Sequence, residues 1–219
     1  GTDALGRDIL SRIAYGARIS FVVGILSVLG AALVAVTYLG TAEQIAANEK
    51  AVLMHNIYKL VSPGEMDNDL LQDVISIHEP ALGSEDILVY RARRGNEPVA
   101  VIMSPVEASG YAGPIKLIVG IKADGSLGGV RILAHKETPG LGDKVEESRS
   151  NWITSFTGKS LHNPAPERWK VKRDGGDFDQ FTGATVTPRS IVAATKQALE
   201  YFAIHKQRLF RAPAAATGT

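Results

Sequence analysis

From Ile19 to Leu39 the chain reads Ile-Ser-Phe-Val-Val-Gly-Ile-Leu-Ser-Val-Leu-Gly-Ala-Ala-Leu-Val-Ala-Val-Thr-Tyr-Leu, without one charged side chain. About 20 such residues in a helix cross the hydrocarbon core of a bilayer. A cleaved signal peptide is the competing reading, and Ala35-Val36-Thr37 mimics its small-residue cleavage site. A signal's apolar core is shorter than this run, which favours a retained anchor. Arg7, Arg12 and Arg18 precede the run, whereas Glu43 is the first charge beyond it. The positive-inside rule therefore puts the N-terminus in the cytoplasm and everything after the run outside. No ionisable group lies in the span, so it cannot relay ions by itself.

Composition narrows what the remainder can do. The 24 Lys and Arg residues nearly balance the 23 Asp and Glu residues, so no basic field argues for nucleic acid. There is no cysteine, which removes disulfides, thiolate-held zinc or iron–sulfur centres, and a thiol nucleophile. The 5 His residues are scattered without ligand spacing, and no metal site is expected. No Ser/His/Asp arrangement or poised carboxylate pair stands out. Glu146 and Glu147 are adjacent, so on a helix they point in different directions. No independent catalysis is expected.

Taken in order, residues 1–18 form a leader of uncertain origin, 19–39 a transmembrane helix and 40–80 a helical stalk. Within that stalk, Leu70 to Ile77 fits a short helix or a strand. Short β-like runs follow at Ile87 to Arg93 and Val99 to Met103, joined by the turn Arg94-Gly95-Asn96-Glu97. Ile115, Leu117, Val119 and Ile121 alternate onto one face, and Asp124-Gly125 turns into Gly129 to Ala134. These runs predict an antiparallel sheet covered on one side by a helix after Pro188, an α+β domain over 81–210. Lys144 to Ser150 and Trp152 to Gly158 are helix-compatible, and 211–219 reads as a disordered tail.

Glycine-rich loops flank the second hairpin, at Gly110-Tyr111-Ala112-Gly113-Pro114 and Lys136-Glu137-Thr138-Pro139-Gly140-Leu141-Gly142. Neither has the strand–loop–helix order of a dinucleotide fingerprint. The stretch Asp179-Gln180-Phe181-Thr182-Gly183-Ala184-Thr185-Val186-Thr187-Pro188 is a small-residue turn running into a helix. Thr187 suits the N-cap and Pro188 the first helical position. Ile191, Ala194, Thr195, Ala198, Leu199 and Phe202 then fall near one helical face. The exposed amides and partial positive charge of such a helix start can seat a phosphate, or the threonines can merely satisfy backbone donors.

Asp179-x-x-Thr182-Gly183-Ala184-Thr185 resembles the flavinylation motif of extracytoplasmic FMN-binding domains. With Gly-Tyr-x-Gly-Pro-Ile and Glu-Thr-Pro-Gly-Leu-Gly before it, the order is similar to the G subunit of the Rnf (Rsx) ion-translocating electron transport complex. The C subunit of the sodium-pumping NADH:quinone reductase is a relative. The wording of 135–144 and 175–179 leans to the Rnf member, and the likeness runs from about residue 25 to about 208. The first two dozen residues instead resemble a permease segment of peptide ABC importers and are read as a borrowed, fused or misannotated leader; the lack of an initiator Met points to a start that is not the natural one.

The resemblance implies FMN joined through its phosphate to Thr185, with Asp179, Thr182, Gly183 and Ala184 completing the motif. It also implies that Glu137, Thr138, Gly140, Leu141 and Gly142 lie along the isoalloxazine. Lys144 and Arg189 are candidate phosphate neighbours, though both read better as surface charge. A flavin transferase, the other membrane subunits of an Rnf-type complex and membrane lipid are the implied partners. The implied location is the bacterial inner membrane, single-pass, with the large domain on the periplasmic side. The implied role is electron transfer; a quinone-reductase subunit and a non-redox anchored binding module are the alternatives.

Overall fold

The apolar run is the middle of one helix, α1 (Ile9–Leu60), in a computed structural model that describes residues 1–2 and 8–211. Residues 3–7 of the expected leader and 212–219 of the expected tail lie outside the described residues. The chain divides into two units, Gly1–Val52 and Leu53–Thr219.

The first unit is α1 as far as Val52. Phe21, Leu33 and Leu39 are each more than 70% exposed, more apolar surface than water tolerates on one helix. Two of its hydroxyls are satisfied internally: Ser27 donates to the Val23 carbonyl, and Thr37 to that of Leu33, both at 2.8 Å. The helical backbone and these two hydroxyls thus ask nothing of an apolar surrounding. The helix is long and apolar enough to cross a membrane.

The second unit is built on a five-stranded antiparallel meander, its strands lying side by side in chain order. They are β1 (Val74–Ile77), β2 (Ile87–Arg94), β3 (Glu97–Ser109), β4 (Pro114–Lys122) and β5 (Leu127–Ala134). The Leu70–Ile77 segment, ambiguous in sequence, contributes the edge strand. The predicted stalk is helical only to Leu60, and the rest of 40–80 joins the sheet unit. Strand β3 runs past the predicted Met103 because the ladder shifts between Met103 and Val106. Pro105 has no N–H to give at that point, and the bulge absorbs the loss.

The helix after Pro188 covers one face of the sheet as expected, and the opposite face is covered as well. Val101, Met103, Leu117 and Val119 face α2 (Val186–Phe210), which buries Ile191, Ala194, Ala198, Leu199 and Phe202 against them. The alternate residues Tyr90, Ala92, Ile102 and Ile118 meet Ile57, Leu60, Val61 and Leu70. The near-continuous apolar reading of β3 and β4 follows from this double burial. A side chain on Gly128 would put its Cβ 2.4 Å from the Leu60 carbonyl oxygen, so the glycine lets the chain lie against the sheet.

Between β5 and α2 the chain forms no long element. The helices expected at 144–150 and 152–158 are single 3-10 turns, Gly142–Val145 and Ile153–Phe156. Rings hold this region instead: Phe156 stacks on Phe178 at 4.7 Å, Trp169 lies 5.0 Å from Phe178, and Trp152 meets Phe181 edge-on at 5.4 Å. The far end of α2 is capped by two arginines of β2. Arg91 donates to the Arg211 carbonyl and Arg93 to that of Phe210, while Asp73 pairs with both. Cations at the negative end of the helix dipole pin α2 along the sheet.

Candidate functional site

The N-terminal end of α2 is fixed by a contact that spans 50 residues of sequence. The Thr187 hydroxyl donates to Oε2 of Glu137, and both groups are buried. The second carboxylate oxygen accepts the Ala112 amide at 3.0 Å. Glu137 therefore ties the 110–113 loop, its own loop and the start of α2 together. Gly142 makes room for it: a Cβ there would sit 2.7 Å from Oε2, and one on Gly110 would sit 2.5 Å from Oε1.

This contact overturns the predicted cap. Helix α2 begins at Val186, so Thr187 lies inside the first turn with Pro188 behind it. Capping would use the hydroxyl oxygen as an acceptor for helix amides, whereas Thr187, already inside the helix, uses its O–H to donate to the Glu137 carboxylate. Thr185 occupies the N-cap position with backbone angles φ −77° and ψ −26°, and its side chain makes no capping bond. The amides of Thr185, Val186 and Thr187 meet no protein acceptor among the described residues. The first turn of α2 thus presents free N–H groups beside a half-buried, uncommitted hydroxyl.

A cleft of about 260 Å³ opens there, lined by Tyr111, Glu137, Thr138, Leu141 and Gly142 on one side and residues 183–187 on the other. Tyr111 is 79% exposed, and Leu141 and Val186 are each 44% exposed. Large apolar side chains left open around a polar helix start suit a flat ring with an anionic tail. The cleft is smaller than the roughly 300–1,000 Å³ that engulfs a drug-sized ligand. A flavin would therefore lie partly on the surface.

Of the motif and loop residues singled out in sequence, Glu137, Thr138, Leu141, Gly142, Gly183, Ala184 and Thr185 line the cleft. Gly140, Asp179 and Thr182 do not. Gly140 sits at the tip of a turn closed by Leu141 and Gly142 amides onto the Thr138 carbonyl. The Asp179 carboxylate pairs with Lys172 at 2.5 Å, and its carbonyl accepts the Trp152 indole N–H at 2.8 Å. Thr182 is exposed. Arg189 turns away to grip both oxygens of Asp174, at 2.6 and 2.9 Å, and Lys144 is exposed off the cleft. Tyr111, Val186 and Thr187 were missed as lining residues. Tyr111 carried a usable signal, an aromatic side chain held between two glycines.

Behind the loop, the Glu137 amide donates to His135 Nδ1 at 3.0 Å, which leaves the ring proton on Nε2 for Glu146 at 2.8 Å. That bond, with help from Ser148, holds the Glu146 carboxyl below the ordinary glutamate value of 4.5. A bond from Lys59, with the charge of Arg131, lowers Glu147 likewise. A carboxylate depressed in the folded state stabilises fully above its unfolded value and loses that contribution as pH falls through the folded one. The thermal midpoint of the sheet unit is therefore expected to drop below about pH 4.5. Changing Glu146 and Glu147 together to Gln should flatten that acid limb in circular dichroism melts; an unchanged limb would remove these carboxylates as its cause.

Comparison with known proteins follows the same ground. Residues 110–200 match the FMN-binding domain family. The G subunit of the ion-translocating oxidoreductase complex from Vibrio cholerae serotype O1 (strain M66-2) is 42% identical over 193 residues, 88% of this chain and 92% of the relative. Its namesake from Shewanella oneidensis is 45% identical over 183 residues, 83% of this chain and 86% of the relative. That from Pseudomonas aeruginosa (strain UCBPP-PA14) is 42% identical over 203 residues, 92% and 94% of the two chains.

Proposed function

The chain belongs to the family of G subunits of ion-translocating oxidoreductase complexes, and from that premise we propose that it is the membrane-anchored flavoprotein subunit of an Rnf-type complex, relaying electrons through FMN esterified to Thr185. The span within 19–39 anchors it in the inner membrane, in contact with lipid, and the positive-inside rule favours a periplasmic domain. The domain proper extends from the end of α1 to about residue 210. The other subunits of the complex are its redox partners, and a flavin transferase matures it.

The observation that carries this reading is the Thr185 hydroxyl, left out of capping at the edge of an apolar cleft and at the positive end of α2. Esterification would join Thr185 Oγ to the flavin-side phosphorus of FAD, break the bridging P–O bond, and release AMP and a proton. The remaining phosphate charge would meet the free amides of Val186 and Thr187, an interaction worth about 0.3–1 kcal/mol. No Lys or Arg is among the residues lining the cleft. With no ion pair to hold a free phosphate, a covalent bond is the means of retention. Bound there, FMN supplies reversible electron transfer. Tyr111, Leu141 and Val186 offer its ring apolar surface, and the Thr138 amide can approach its polar edge.

The test is the mass of the tryptic peptide Asp174–Arg189 from protein made beside a flavin transferase. The expected result is that peptide carrying one FMN less one water, with fragmentation locating the ester at Thr185. A peptide of bare polypeptide mass would reject the covalent flavin.

A further inference from the structure

We propose that Glu137 sets the reduction equilibrium of the flavin, by keeping an uncompensated negative charge in the wall of the cleft. The inference rests on the flavin reading above. Glu137 is 6% exposed, and its oxygens are met by the Ala112 amide and the Thr187 hydroxyl, both neutral donors. No Lys or Arg pairs with it among the described residues, whereas Asp73, the other largely buried carboxylate that clasps separate segments, is held by both Arg91 and Arg93. Neighbouring charges are committed elsewhere: His135 bonds Glu146, and Asp143 faces Arg149 at 3.7 Å. Gly110 and Gly142 leave the niche that this one carboxylate fills. A clasp between loops needs only hydrogen-bonding atoms, and an amide would serve. A charge at this depth is screened far less by salt than a surface carboxylate.

The consequence is electrostatic. Giving an isoalloxazine two electrons and one proton leaves one added negative charge on it. A nearby carboxylate opposes that charge and holds the equilibrium toward the oxidised form. Glu137→Gln keeps the size, one acceptor for Ala112 and one polar atom for Thr187, but removes the charge. Thr187→Val does the reverse: it strips away a neutral donor and leaves the carboxylate less shielded.

Both variants are made with the flavin transferase, checked for the Thr185 ester by peptide mass, and titrated at about pH 8 against a reference dye. Dithionite supplies the electrons, being oxidised to sulfite, and solvent supplies the proton. Glu137→Gln is expected to shift the equilibrium at least tenfold toward the reduced form, about 30 mV upward for a two-electron couple. Thr187→Val is expected to shift it about threefold the opposite way. A purely mechanical clasp would loosen the site in both variants and move both in one direction. Shifts of the same sign, or a change of less than about twofold in Glu137→Gln, overturn the inference while leaving the flavin reading intact. If Glu137→Gln does not fold, Thr187→Val decides alone: a shift toward the oxidised form supports the proposal, and none overturns it. Wild-type protein without flavin overturns both readings.

Discussion

Thr185→Val is expected to abolish covalent flavin altogether. Valine keeps the volume and branching of threonine at a half-buried position, so the N-cap backbone and the cleft wall stay in place. The only loss is the oxygen that would carry the phosphoester. That oxygen makes no capping bond, so its removal leaves no amide newly unsatisfied, and the stability cost should stay within about 0.5 kcal/mol. Fluorescence of the denatured protein in a gel reads the outcome directly: a bright band for wild type and none for the variant. Thr182→Val and Thr187→Val are the controls, because one threonine is exposed off the cleft and the other's hydroxyl is occupied by Glu137. Both should keep their bands. A band of undiminished strength in Thr185→Val would reject the assigned residue.

Phe178→Ala is expected to be the most destabilising single change around the site. Phe178 is 2% exposed, stacked on Phe156 and packed against Trp169, with the Lys159 ammonium 5.2 Å from its ring centre. Removing a buried phenyl ring costs about 3–5 kcal/mol. For a domain of this size each kcal/mol lowers the melting midpoint by about 2–4 °C, so the fall should be roughly 6–20 °C. The rival supports of the same segment are the ion pairs Arg168–Asp177 and Arg189–Asp174, whose partners are about a third or more exposed. Exposed pairs are worth about 0–1 kcal/mol each, so the rings dominate. Because Phe178 immediately precedes the motif, flavin attachment should slow as well. A calorimetric midpoint within about 2 °C of wild type would show the ion pairs, and not the rings, holding the segment.

The anchor, the hairpins and the apolar face of α2 were legible because each is written in local periodicity. Ile191, Ala194, Ala198 and Leu199 fall at helical spacing, and all are buried. Strand β1 was ambiguous because four residues at a sheet edge carry too little alternation to separate strand from helix. The second covering layer was invisible for a different reason. Ile57 and Leu60 read as more of a helical stalk, and only the partner residues Tyr90, Ile102 and Ile118 reveal a buried face. At the site, the motif and the Glu137–Gly142 loop stood out by composition. Their meeting did not, since the Thr187–Glu137 bond joins residues 50 apart and overrides a local capping preference. Tyr111 enters the cleft through the same long-range closure.

The end of α1 that covers the sheet bears on how a water-soluble fragment should be cut. One beginning at Leu53 retains Ile57, Leu60 and Val61, and the second core stays whole. One beginning at Val61, where the helix stops, strips the two larger side chains and leaves the slot over Gly128 unfilled. Tyr90, Ile102 and Ile118 would then face water as a contiguous greasy strip, the kind of surface that drives self-association. The natural place to separate this domain from its anchor is therefore inside a helix, two turns before its visible end.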